Sequence, residues 1–189
     1  MENVAKEPFD AIVKRLIFTP AGMDTARADD TYAVIPNRAR GYNKAPEPPN
    51  GDGRIINAYL VDTSHKMPGG GLAATATDVA RFALAARAGK LVGASMKEEF
   101  SKEKLWTSLK LTAGPDKGKQ TGYGLGWAIE RIAGRRVVGH LGGQHGASTM
   151  LLMEPDSGHV AVILCNLEGA DVGGLTRRIM RLLIEGEEK

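Results

Sequence analysis

Apolar residues change their spacing along the chain, and each change marks a different kind of element. Between residues 3 and 18, Val4, Phe9, Ile12, Val13, Leu16 and Ile17 fall at helical spacing around Lys14 and Arg15. This predicts one amphipathic helix, ended by Pro20 and Gly22. The stretch from Asp24 to Pro68 holds most of the prolines, among them Pro46, Pro48 and Pro49, and Asn50-Gly51 reads as a turn. An irregular excursion with short strands is expected there. Pro68-Gly69-Gly70-Gly71-Leu72 is a hinge into Thr75-Ala76-Thr77-Asp78, a capping box in which Thr75 is the N-cap and Asp78 reaches back. The helix that follows carries Val79, Phe82, Ala83 and Ala86 on its apolar stripe and closes at Gly89. A second helix is expected across Met96 to Trp106.

From Gly122 the period shortens. Tyr123, Leu125, Trp127 and Ile129 alternate with small or polar residues and predict a half-buried strand, turned at Ala133-Gly134-Arg135. Strands are expected again at Val137 to Leu141, Ser148 to Glu154 and Val160 to Asn166, with Pro155-Asp156-Ser157-Gly158 as a turn. The result is an antiparallel meander of three or four strands. Residues 172 to 185 return to helical spacing, with Val172, Leu175, Ile179, Leu182 and Leu183 on the face toward the sheet and Arg177, Arg178 and Arg181 opposite.

Composition narrows the class. The 189 residues, 42% hydrophobic and 25% charged, suffice for one domain with its own core. A net charge of +3 is scattered, with neither a basic stripe nor stacking aromatics, which argues against a nucleic-acid partner. No run approaches the ~18 apolar residues of a membrane span, and residues 1 to 20 lack the layout of a signal peptide. Cys165 is alone in an apolar run and reads as a buried inert thiol, so no intrachain disulfide forms.

Four segments occur in a telling order: Ile17-Phe18-Thr19-Pro20-Ala21-Gly22-Met23; Gly69-Gly70-Gly71-Leu72 with Thr75 and Asp78; Tyr123-Gly124-Leu125-Gly126-Trp127; and His140-Leu141-Gly142-Gly143. In this order the chain resembles the C-terminal portion of serine β-lactamase-like, penicillin-binding-protein-like hydrolases, the family of class C β-lactamases, D-Ala-D-Ala carboxypeptidases and related esterases. Asn37-Arg38-Ala39-Arg40 and Val61 to Lys66 are similar to the branch that contains the mitochondrial β-lactamase-like protease. The resemblance implies an α/β (α+β) fold: an antiparallel sheet meander with a covering C-terminal helix, plus part of a helical lobe. Residues 1–68 would be the remnant of that lobe and the excursion, and 69–189 the helix, strands and closing helix of one domain.

The resemblance also implies chemistry. In this family a Ser-x-x-Lys supplies the nucleophile and its activating amine, a Tyr-x-Asn relays protons, and a Lys-Thr-Gly or His-Thr-Gly strand lines the opposite wall. Only the strand motif has a counterpart here, at His140-Leu141-Gly142. His140 would present a cationic or hydrogen-bonding side chain, and the N–H of Gly143 would be an oxyanion donor. Leu141 stands where the family has a hydroxyl. The Ser-x-x-Lys at Ser101 to Lys104 lies in a charged stretch and out of the family's order, so it reads as a chance match. His145 and His159 read as surface residues, and neither a zinc site nor any cofactor is expected. The reading is therefore a portion of a serine hydrolase acting on small-molecule or peptide-like amides or esters by an acyl-enzyme route, exported or periplasmic by the same resemblance. The alternative is a non-catalytic binding module, or one that self-associates through an exposed sheet edge. A third reading is an unrelated α/β domain.

Overall fold

The computed structural model describes residues 1–91, 105–110, 120 and 122–187. Helix α1 (Glu2–Ala5) is broken from α2 (Phe9–Val13), so the single helix expected from the spacing is not formed. Pro8 is the cause: it has no N–H to donate and disfavours helical geometry at Glu7, and Lys6 turns into the left-handed region at φ 56°. The carboxylate of Glu2 spans the break by accepting the Phe9 N–H at 2.7 Å. Val4 and Leu16, expected on the buried face, are exposed. A π-helical turn (Lys14–Phe18) leads into α3 (Thr19–Ala21), which contains Pro20. Proline cannot bond back to the carbonyl one turn earlier, and a widened turn accommodates it. Gly22, at φ 70°, ends the segment as expected.

The excursion holds three short strands, β1 (Arg27–Ala28), β2 (Tyr42–Lys44) and β3 (Ile55–Asn57), with β2 and β3 forming a hairpin. A 3-10 turn (Ser64–Lys66) precedes the glycine hinge, after which β4 (Leu72–Ala73) pairs with β1. Helix α4 (Ala76–Arg87) begins at Thr75, whose side chain accepts the Asp78 N–H. The expected capping box is only half formed. Asp78, 1% exposed, does not reach back but accepts the Thr25 N–H at 3.0 Å and the Thr25 hydroxyl, pinning α4 to the chain before β1. Burial opposes its ionisation, yet the Thr25 bonds and the Arg81 guanidinium hold its pKa below the usual value. Gly89 closes α4 as expected: its N–H bonds Ala86, and the Lys90 N–H bonds Ala85.

Strands β5 (Ala128–Ile132), β6 (Arg135–Gln144), β7 (Ala147–Met153) and β8 (Val160–Cys165) form an antiparallel meander in sequence order, as the pattern predicted. The first strand starts later than expected. Residues 123–127 fold back, with the Gly124 N–H bonded to the Trp127 carbonyl and Gly126 at φ 85°. The two glycines, which the alternation passes over, make a turn possible where a strand was expected. The expected helix at Met96 to Trp106 lies almost wholly outside the described residues.

Each face of the sheet packs on one helix. Ala83 and Ala86 of α4 meet Trp106, Trp127, Val138, Leu151 and Met153 on one side. Helix α5 (Val172–Gly186) covers the other, over Ile132, Val137, Met150, Leu152 and Ala161. That the C-terminal helix covers a face agrees with the sequence reading, but the stripe it buries differs. Val172, Thr176, Met180 and Ile184 are inside, whereas Leu175 and Leu182 are 50% and 69% exposed. Thr176 passes as polar in a hydropathy pattern, yet its hydroxyl donates to the Val172 carbonyl at 2.6 Å and so enters the core satisfied. Cys165 is partly buried against this core. At the turn after β7, buried Glu154 accepts the Asp156 N–H and the Ser157 N–H and hydroxyl. Burial raises its pKa, but these bonds and the charge of Arg135 outweigh burial and leave it lowered.

Candidate functional site

The site is set by the length and phase of β6. The Ala133-Gly134 turn has both residues at positive φ, 47° and 75°, the two-residue form whose flanking pair is hydrogen-bonded. Ile132 and Arg135 are that pair. Counting along the ladder, Arg135, Val137 and Gly139 direct their main-chain groups to β5, and the even-numbered residues direct theirs to β7. Strand β5 goes no further than Gly139, opposite Ala128. Strand β6 continues to Gln144, well past the Leu141 end expected from sequence. The N–H and C=O groups of Leu141 and Gly143 therefore point to a side where β5 has already ended.

The three residues singled out from sequence lie on this overrun. A Cβ at Gly142 would sit 2.4 Å from Thr149 Oγ1 on β7, so the glycine is needed for packing; beside Gly143 the same position is open. His140 is exposed and stands edge-on to Tyr123, ring centres 5.8 Å apart. Its Nδ1 is 2.6 Å from the Leu141 carbonyl oxygen. A carbonyl only accepts, so Nδ1 carries a proton, and whenever the ring is neutral Nε2 is left as an acceptor. Leu141 is 57% exposed and its side chain approaches Gly173 at the start of α5.

A cleft of about 610 Å³ opens at this end of the sheet, lined by Leu141, Gly142, Gly143, the 168–170 loop and Lys66. Hydropathy gives no reason to single out Lys66 or Gln144. Gln144 donates to the Gly70 carbonyl at 3.0 Å and accepts from Lys66 Nζ at 3.0 Å, stapling the glycine hinge to β6. A Cβ at Gly70 would lie 1.9 Å from that amide nitrogen. The juxtaposition of Gly70 and Gln144 is a tertiary fact, invisible in the chain order.

His145, expected as a surface residue, is exposed but engaged. The Tyr59 N–H donates to its Nε2 at 3.2 Å, which puts the ring proton on Nδ1, 3.2 Å from Glu168 Oε2. Glu168 also accepts the Gly146 N–H at 3.2 Å. This set fastens the β2–β3 hairpin to the rim of the cleft, where Gly146 comes 2.9 Å from Gly41 by the position of its missing Cβ. Ser148, a buried residue in the lining of the cleft, donates to the Leu167 carbonyl at 2.9 Å and is committed to structure. His159 pairs with Glu187, the residue that caps α5, at 3.1 Å. Ser101 and Lys104 lie outside the described residues. Among the described residues no group of three or more His, Cys, Asp or Glu could hold a metal ion, and no helix is long and apolar enough to cross a membrane.

Residues 1–184 match the protein family described as Beta-lactamase. The serine beta-lactamase-like protein LACTB of mitochondria is 27% identical over 200 residues in both Bos taurus and Homo sapiens, covering 89% of this chain and 34% and 35% of those proteins. The putative penicillin-binding protein PbpX of Bacillus subtilis is 28% identical over 127 residues, 67% of this chain and 27% of that protein. Among solved structures, the octameric penicillin-binding protein homologue from Pyrococcus abyssi aligns at TM-score 0.74 with 22% identity, over 97% of this chain and 39% of that one. D-amino acid amidase from Ochrobactrum anthropi aligns at TM-score 0.73 with 20% identity, over 100% of this chain and 54% of that one. At these identities the structural likeness is one of fold. The chain spans about a third of the length of its mitochondrial sequence relatives.

Proposed function

The chain belongs to the serine β-lactamase and penicillin-binding-protein-like family, and from that premise we propose that it forms the strand wall of a serine-hydrolase acyl-transfer site. The observation that carries the reading is the overrun of β6, which turns the main chain of Leu141 and Gly143 outward beside the family's strand motif. An extended amide or ester substrate laid along this edge would complete the ladder one strand further. Its scissile carbonyl oxygen, gaining negative charge as a nucleophile attacks, would receive the Gly143 N–H, and the open space at Gly143 lets it approach. His140, with Nδ1 occupied, offers Nε2 to the proton relay or to the substrate. The Ser-x-x-Lys and Tyr-x-Asn of the family would come from the part of a full-length relative that has no counterpart here.

The test is intact-mass analysis after incubation with a fluorophosphonate and with a penicillin. The expected result is an unchanged mass, because this wall stabilises an acyl transfer but holds no nucleophile. A stable adduct mapped to Ser101, or to any other serine, would overturn that division of roles.

A second reading is supported by the outer edge of β8, which in the described sheet pairs with β7 alone, and by the exposed Leu175 and Leu182 on α5. These surfaces suit self-association. Sedimentation over a hundredfold concentration range would show a mass that rises with concentration if copies pair this way, and a constant monomer if they do not.

A further inference from the structure

We infer that His145 is a proton-operated latch for the chain between β3 and the glycine hinge, closed while Nε2 accepts the Tyr59 N–H and opened when Nε2 takes up a proton. The inference goes beyond the acyl-transfer reading and does not depend on it. The segment in question has little else to hold it. Tyr59 and Leu60 are 84% and 68% exposed. Among the described residues, the 3.2 Å bond from Tyr59 to His145 is the one main-chain hydrogen bond that ties residues 59–62 to the rest of the fold. The Tyr59 ring lies parallel to the same imidazole, centres 6.2 Å apart. Strand β2 is fastened differently. The Tyr42 N–H bonds the Asn166 carbonyl at 2.9 Å, and the Glu168 N–H bonds the Tyr42 carbonyl at 2.9 Å. These are main-chain groups that do not titrate, so loss of the latch frees the 59–62 segment and leaves β2 in place. The segment runs directly into the 3-10 turn that carries Lys66, so its release reaches the lining of the cleft.

A neutral imidazole has one lone pair to give. With the Nδ1 proton directed at Glu168 Oε2, 3.2 Å away, that lone pair is on Nε2. A second proton and the Tyr59 N–H compete for it, and binding one excludes the other. Glu168 accepts from Nδ1 in both states. A new partner for the protonated Nε2 is already beside it. The Asn43 amide nitrogen lies 3.4 Å from both ring nitrogens, and its Oδ1 is buried without a hydrogen-bond partner. Half a turn of that amide brings Oδ1 to the ring, where it accepts the Nε2 proton. Proton uptake therefore exchanges the Tyr59 bond for an Asn43 bond. The charged and titratable groups on the elements that meet here are Glu168, Lys66 in the lining of the same cleft, Lys44 of β2 paired with Glu47, and Asp62 and His65 on the segment and its turn. Of these, His65 alone shares the range in which an imidazole ordinarily titrates, near pH ~6.5.

The experiment is an NMR titration of the full 189-residue chain between about pH 8 and about pH 5, a window that brackets imidazole titration. It reads the His145 ring nitrogens and the hydrogen-exchange protection of the Tyr59 and Tyr42 amides, corrected for the intrinsic pH dependence of exchange. The neutral ring should be the Nδ1–H form. Tyr59 protection should fall about five- to tenfold, the scale of one hydrogen bond, with the same midpoint as the His145 ring, while Tyr42 protection stays constant. His145→Ala should leave Tyr59 unprotected at both ends of the range, and His65→Gln should preserve the wild-type profile. A Tyr59 amide whose protection is constant through the His145 titration overturns the latch, as does a neutral ring protonated on Nε2. Parallel loss at Tyr42 overturns it too, because the hairpin would then be loosening as a whole. The wild-type titration decides the question even where His145→Ala lowers the stability of the fold.

Discussion

Replacing Asp78 by alanine isolates what a buried carboxylate contributes when its partners are two groups of one threonine. The substitution leaves the helix cap intact, because Thr75 still accepts the N–H of residue 78. It removes the acceptor for the Thr25 N–H at 3.0 Å and for the Thr25 hydroxyl, and a longer contact to Arg81 at 3.4 Å. Bonds to a charged acceptor contribute ~1.5–3 kcal/mol each. Relief from burying the charge offsets part of this, so the expected net loss is about 2–4 kcal/mol. Asp78→Asn keeps one acceptor and should lose about half as much. The sign of the pH dependence follows from the lowered pKa in the folded chain. The unfolded chain, with Asp78 near its ordinary 3.8, takes up the proton first as pH falls. The contribution is therefore complete above that value and disappears as pH drops through the lower, folded one. Urea unfolding of wild type and Asp78→Ala across pH 3–7 should show a constant gap at the neutral end that narrows in acid. A gap under about 1 kcal/mol, or one that does not narrow, would refute the role assigned to Asp78.

The stripe that α5 buries gives a paired test: Met180→Ala should cost about 2–5 kcal/mol, and Leu182→Ala less than about 1 kcal/mol, both read by denaturant midpoints. A reversed order would mean that the helix is rotated from its described position. Gly142→Ala should destabilise the β6–β7 pair, since its Cβ would meet Thr149 Oγ1 at 2.4 Å; Thr149→Ala in the same chain should recover most of the loss, measured as a double-mutant cycle.

The meander, the covering C-terminal helix, the helix after Thr75 with its cap, and the Gly89 stop were legible because each depends on near neighbours and on a period of two or of 3.6. What was misread depended on backbone exceptions or on partners far away in sequence. Pro8 interrupts an otherwise good helical spacing, and Gly124 and Gly126 let an alternating run turn back on itself. Thr176 lies inside because its hydroxyl is answered locally, so polarity alone misjudged the stripe. At the site, the order of motifs drew attention to His140, Gly142 and Gly143, whereas the run of β6 past Leu141 to Gln144 was not foreseen. Lys66 and Gln144 stayed hidden because they are 78 positions apart, and no spacing rule connects a 3-10 turn to a strand end.

The Ala133-Gly134 turn lies at the far end of β6 from the cleft, but it decides which residues the cleft receives. Loss or gain of a single residue there, if absorbed in β6, would exchange odd positions for even ones along the strand. The open edge would then present His140 and Gly142 in place of Leu141 and Gly143. Sequence at this turn is free to drift wherever positive φ is tolerated, while its length is held by a site several residue pairs away. Variants of this chain should therefore accept substitutions at residues 133 and 134 far more readily than insertions or deletions, although the turn itself touches no substrate.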